Sequence, residues 1–196
     1  MTHFHSDHAG GTRAFIAEGT TILTTPGTKE YFERLAAAKF TLIPDRLSQH
    51  PRPAGVEIFH TKRVITDGER TVELFNLGQS PHANENVVAY LPKERIIFQG
   101  DLFYFAGFDQ FPAIDPSRDR VMKFFGRWLL KNKLHPERIY GFHDRGFATM
   151  VQVHKILSLK RRRAEARNST GFRDLPYPET SLIPGVLLCR STPGSR

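Results

Sequence analysis

Thr2-His3-Phe4-His5-Ser6-Asp7-His8-Ala9-Gly10-Gly11 is the stretch that decides how this chain is read. Three imidazoles and a carboxylate fall within the six residues from His3 to His8. Side chains repeat every 3.6 residues on a helix and every second residue on a strand, so neither element can turn these four toward one point. A tight loop can, and a divalent metal site asks for that convergence. With nine His and nine Asp in 196 residues, chance fills these four positions in roughly one chain in a thousand of this composition.

The chain's 196 residues suffice for one domain with a sizeable core and are too few for two comfortable ones. The apolar share is 39%, with 16 Phe, which supports a packed globule rather than a disordered chain. No apolar run reaches membrane-spanning length, and no signal segment opens the chain. The single cysteine, Cys189, excludes an internal disulfide and a Cys-type structural zinc site. The net charge of +8 suggests nucleic acid until it is partitioned. From Lys155 onward nine Lys and Arg face three Asp and Glu, so +6 of the +8 sits in the tail, mostly in Lys160 to Arg163. Such a run is a solvated helix end before it is a binding surface, and nucleic acid is not the expected partner.

The pattern along the chain alternates helices with strand pairs. A helix is expected from Asp7 to Glu18, stopped by Gly19, followed by a strand from Thr21 to Thr25. Thr28 is placed to cap a helix from Lys29 to Lys39, with Tyr31, Phe32, Leu35 and Ala36 inward. Pro44 to Gly55, with three prolines, reads as loop. Arg63–Thr66 and Thr71–Leu77 form a hairpin around Asp67-Gly68, and Val87–Leu91 pairs with Arg95–Gln99. Asp115-Pro116 opens a helix whose Val121, Phe124, Phe125, Trp128 and Leu129 make an apolar stripe. Arg138 to Phe142 is a strand delivering His143. A last helix spans Phe147 to Arg163, with Phe147, Met150, Val151, His154 and Leu157 on one side. The expected domain is 1–167, followed by an irregular basic tail, 168–196. The class is α/β, layered, with candidate ligands at strand ends.

The first stretch resembles the signature loop of the metallo-β-lactamase superfamily. The resemblance continues through Ser80–Pro92, through Ile96–Phe103 with its Gly100-Asp101, and through Gly141–Gly146 around His143. It implies a four-layer αββα sandwich and two zinc ions, with iron or manganese as alternatives. His3, His5 and His82 would bind one ion, Asp7, His8 and His143 the other, and Asp101 both, with Asp7 also the candidate catalytic carboxylate. Neutral imidazoles suit zinc, and three of them leave a coordination position open for water. A hydroxide shared by two zincs can attack an ester, thioester, lactone or amide of a small-molecule substrate at neutral pH. The true β-lactamases of that superfamily lack an Asp bridge, whereas its thioesterase and lactonase branches carry one. Phosphodiesterase or nuclease action on the same pair, or an inactive metal-binding fragment, are the alternatives.

The departure is at Asp144, where relatives have Gly; its carboxylate could hold the His143 ring or perturb the second site. Phe103, Tyr104, Phe105 and Phe108 could line an apolar pocket and are as often plain core, while His50, His60, His135 and His154 have no ligand context. Several strands precede the metal loop in that superfamily. The resemblance therefore implies a sandwich missing its N-terminal strands, with an exposed apolar sheet face and a compartment that is not readable.

Overall fold

The computed structural model describes residues 1–104, 118–144 and 146–159 in full, and the backbone of 116–117. Helices α1 (Ser6–Ala9) and α2 (Thr12–Ala17) stand where one continuous helix was expected. Gly10 and Gly11 separate them, two adjacent residues that each cost a helix interior about 1 kcal/mol against alanine. β1 (Thr21–Thr24) follows, then a 3₁₀ turn (Pro26–Thr28) and α3 (Lys29–Ala37). Thr28 makes no side-chain cap; its hydroxyl is held by the Thr24 and Thr25 hydroxyls instead. Phe32 and Ala36 are the buried pair on α3.

The stretch expected as loop contains α4 (Arg46–Gln49) and leads into β2 (Gly55–Ile58). Asp45 caps α4 by accepting from Ser48 N at 2.8 Å. β2 pairs in parallel with β1, Thr21 against Gly55 through Thr24 against Ile58. Ile16, Ala36 and Leu47, from α2, α3 and α4, form a small core beside this two-stranded sheet, with Ile22 of β1 packed against them.

The larger sheet has five strands in the order β3 (Lys62–Thr66), β4 (Thr71–Asn76), β5 (Val87–Leu91), β6 (Ile96–Gln99), β7 (Arg138–Gly141). β3 to β6 are antiparallel neighbours, and β7 joins β6 in parallel. The β3–β4 turn is the expected one. Gly68 takes a φ of 94°, open to glycine at little cost, and Asp67 Oδ1 accepts from Glu69 N and Arg70 N.

Helices α5 (Pro116–Lys131) and α6 (Met150–Ser158) cover one face of this sheet. Val121, Met122, Phe125 and Leu129 of α5 pack with Val153 and Ile156 of α6 on Val88, Ile97 and Ile139. Fully burying each such side chain contributes about 1.5–3 kcal/mol. The α6 face differs from the expectation: Val151 is 74% exposed and His154 is exposed, while Val153 and Ile156 are fully buried. The helix begins after Thr149, which forms a capping box with Gln152, so an inward face counted from Phe147 starts outside the helix.

The other face of the sheet carries a row running across four strands, Leu74, Ala89, Phe98 and Tyr140, with Ile65 and Val72 beside it. Phe98 stacks on Tyr140 at 5.5 Å and is 38% exposed; Ile65 is 48% exposed. Helices lie against each of the two sheets, a mixed α/β architecture. Asp115, the Lys160–Arg163 run, the 168–196 tail and Cys189 lie outside the described residues.

Candidate metal centre

Sheet topology explains why residues so distant in sequence converge. Gln99, the last residue of β6, pairs with Gly141, the last of the parallel β7. Asp101 and His143 each stand two residues beyond that pair, so both emerge at one sheet edge. β5 runs antiparallel to β6, so the turn before Val87, which holds His82, reaches the same edge. The opening loop is tied there too, because Val87 N donates to Thr2 O at 2.7 Å.

Each ligand loop is held by its own bonds. Ser80 Oγ accepts from His82 N and Ala83 N, both at 3.0 Å, and from Asn86 Nδ2 at 2.8 Å. Gln99, fully buried, accepts through Oε1 from Leu102 N at 2.8 Å and Phe103 N at 3.1 Å, and donates through Nε2 to Phe103 O at 2.8 Å. That fixes the turn presenting Asp101. Sequence reasoning missed Ser80, Asn86 and Gln99 as supports, since nothing in their local pattern announces what they hold.

Two groups of donor atoms result. In the first, His3 Nε2 lies 3.0 Å from His5 Nδ1, 3.1 Å from His82 Nε2 and 3.8 Å from Asp101 Oδ2, and His82 Nε2 lies 3.2 Å from that same oxygen. In the second, His8 Nε2 lies 3.0 Å from His143 Nε2, 3.6 Å from Asp7 Oδ2 and 3.4 Å from Asp101 Oδ1. His143 Nε2 is 3.1 Å from Asp7 Oδ2 and 3.3 Å from Asp101 Oδ1. Within each group the donor atoms all lie within 4.8 Å of one another, and Asp101 belongs to both. Among the described residues, His50, His60, His135 and His154 join neither group.

These residues fit a pair of cations. Metal–nitrogen bonds of about 2.0–2.1 Å in a tetrahedron set neighbouring donors roughly 3.3 Å apart, which the observed distances straddle. Facing imidazole nitrogens at 3.0 Å can share only one proton between them, so a cation between them suits their lone pairs better. Among the described residues Asp101 Oδ1 is buried and has no hydrogen-bond partner, a costly state for a carboxylate oxygen unless something cationic faces it. Burial, then repulsion from His8, His82 and His5, pushes His3 down to about 3, so its ring is neutral and ready to ligate at neutral pH. His82 is also lowered, chiefly by burial.

Of the two readings of the aromatic run after Asp101, the core one holds for its described residues. Phe103 is fully buried against Phe125 and belongs to the core, and Tyr104 packs on that core with the Arg118 guanidinium over its ring at 4.8 Å. Phe105 and Phe108 lie outside the described residues. Asp144 turns its carboxylate toward Gly141, where an added Cβ would meet Oδ2 at 2.6 Å. The aromatic rings beside the donor groups are Phe4, 5.1 Å from His5 and 37% exposed, and Phe142, 5.7 Å from His8 and 63% exposed. A separate cleft of about 420 Å³, lined by Glu33, Ala36, Leu47, Arg52 and Pro53 among others, shares no residue with either donor group.

Sequence comparison finds no matching family model and no matching curated protein. Solved structures do match. A metallo-β-lactamase from Pontibacter korlensis superposes with a TM-score of 0.52 at 22% identity, over 80% of this chain and 65% of that one. An archaeal metallo-β-lactamase superfamily protein from Sulfolobus tokodaii gives 0.53 at 17% identity, over 87% and 71%. The chain has the metallo-β-lactamase fold. The same fold houses other chemistry, since the rubredoxin oxygen:oxidoreductase of Desulfovibrio gigas matches at 0.51 and 19% identity, over 79% of this chain and 41% of that one. The chain thus spans just under two thirds of the length of the Pontibacter lactamase. No helix among the described residues is long and apolar enough to cross a membrane.

Proposed function

We propose that this metallo-β-lactamase-fold chain is a dinuclear metallo-hydrolase acting on an ester, thioester, lactone or amide. His3, His5 and His82 would hold one cation, Asp7, His8 and His143 the second, and Asp101 one with each oxygen. The observation that carries the reading is Asp101, whose Oδ2 faces His82 and His3 while its buried, unpartnered Oδ1 faces His8 and His143. An all nitrogen and oxygen donor set without thiolate suits zinc and also admits iron or manganese. When bound, such a pair supplies Lewis acidity and an activated water at neutral pH.

The chain's own residues do the rest. Asp101 offsets charge between the two donor groups and fixes their separation. Asp7 is 53% exposed in its side chain, with Oδ2 3.1 Å from His143, so it stands where solvent and substrate meet the site. It would take the proton of the attacking water and return it to the leaving oxygen, sulfur or nitrogen. Phe4 and Phe142 flank that opening and offer apolar surface to the non-reacting part of a small substrate.

The test is a hydrolysis panel of esters, thioesters, lactones, amides and phosphodiesters with the metal-loaded protein, beside Asp101→Asn. Turnover of a carboxylic acid derivative that collapses in the variant supports the proposal. Turnover of phosphodiesters alone, falling steeply with salt, would replace it with the nuclease reading.

A further inference from the structure

One hydroxyl touches both donor groups. Thr2 Oγ1 lies 3.2 Å from His3 Nδ1 and 3.0 Å from His8 Nδ1, and Thr2 is only 9% exposed. His3 belongs to the first group and His8 to the second, and each presents Nε2 to its group. We infer that Thr2 is a shared positioning residue, whose single oxygen sets the tautomer and orientation of one imidazole in each metal site. The inference rests on the dinuclear reading above.

The chemistry follows from proton counting. A neutral imidazole carries one N–H, so a ring whose Nε2 ligates must carry its proton on Nδ1. A threonine oxygen has two lone pairs and can accept from both rings at once. Thr2 is itself fixed, since its carbonyl accepts from Val87 N at 2.7 Å at the start of β5. The turn before Asp101 closes over it: a Cβ on Gly100 would meet Thr2 Oγ1 at 2.7 Å and His3 Nδ1 at 3.1 Å. The hydroxyl therefore has little room to turn away, and water has little room to replace it.

Removing a hydrogen-bond partner of a ligating histidine typically costs 10- to 100-fold in metal affinity. Thr2→Val keeps the shape of the side chain and removes the oxygen, so it weakens both cations by that factor, measured by competition with a chromophoric chelator. Thr2→Ser restores both. Loss at one site alone, or wild-type affinity at both in Thr2→Val, overturns the shared role while leaving the dinuclear site standing. If the wild-type protein binds no metal, the dinuclear reading itself fails, and this inference with it. Long-range ¹H–¹⁵N spectra of the zinc-loaded wild type give a check that needs no variant. Protons on Nδ1 of His3 and His8 are expected; a proton on Nε2 of either ring overturns the inference.

Discussion

Gly100 and Thr2 approach so closely that a methyl group on the glycine would stand 2.7 Å from the threonine hydroxyl. The backbone that presents Asp101 is thereby packed against the side chains of Thr2 and His3. Gly100→Ala must push these two loops apart by several tenths of an ångström, which separates Asp101 from His3 and His8 together. The expected outcome is a folded protein whose affinity for both cations falls at least tenfold. Chelator competition beside circular dichroism checks it, and unchanged affinity would show that the close contact does not set the site.

Asp101→Asn keeps the size of the side chain and removes its charge. An amide offers one oxygen where the carboxylate offers two, and its NH₂ would face one of the imidazole groups. Bound metal should fall to one equivalent or fewer, with hydrolysis down by more than a hundredfold, beyond what loss of a supporting hydrogen bond costs. Two equivalents retained in Asp101→Asn would remove the bridging role.

The metal-free protein should lose stability as pH falls from 6.5 to 4. His3 titrates near 3 when folded against about 6.5 unfolded, and His82 is lowered in the same direction. In that window the unfolded chain binds more protons, so unfolding is favoured as pH drops. The contribution of His3 is present above 6.5, declines below it, and levels off beneath 3. The fall is read from denaturant midpoints measured between pH 6.5 and 4. A flat profile would contradict the buried, neutral state of His3.

Arg13 of α2, 4% exposed, ties that helix to the end of α3 and to the cap of α4. It meets both oxygens of Asp45 at 2.6 and 2.8 Å, donates to Ser48 Oγ, and donates to the Leu35 and Ala38 carbonyls near the end of α3. Hydrogen bonds from Arg13 hold the Asp45 carboxyl well below the usual carboxylate range. Arg13→Met leaves those carbonyls and that carboxylate without their partner, so the melting temperature should drop by about 5 °C or more. A drop under about 1 °C would mean that water replaces the guanidinium.

Local chemistry made part of this molecule legible. Asp67-Gly68 placed the β3–β4 turn because the turn needs a residue comfortable at positive φ. The α5 stripe was readable because 3.6-residue spacing selects Val121, Phe125 and Leu129 for one face. The first four candidate ligands were readable because they are adjacent in sequence. Non-local features were not. Gly55–Ile58 is a strand only because Thr21–Thr24 pairs with it. The α6 face depends on a cap at Thr149 rather than on the apolar residues before it. Nothing near Thr2 in sequence says that its hydroxyl meets His8 as well as His3. His143 joins the cluster through the parallel pairing of β6 with β7, which spacing alone does not reveal.

If Asp101 joins two metal-binding groups, as proposed, each folded chain holds two cations. Metal per folded chain, by elemental analysis beside circular dichroism on the same sample, tests it most directly. The expected result is a folded protein with close to two equivalents of divalent metal. A folded protein with one equivalent, or none, after exposure to zinc, iron and manganese in turn would contradict it.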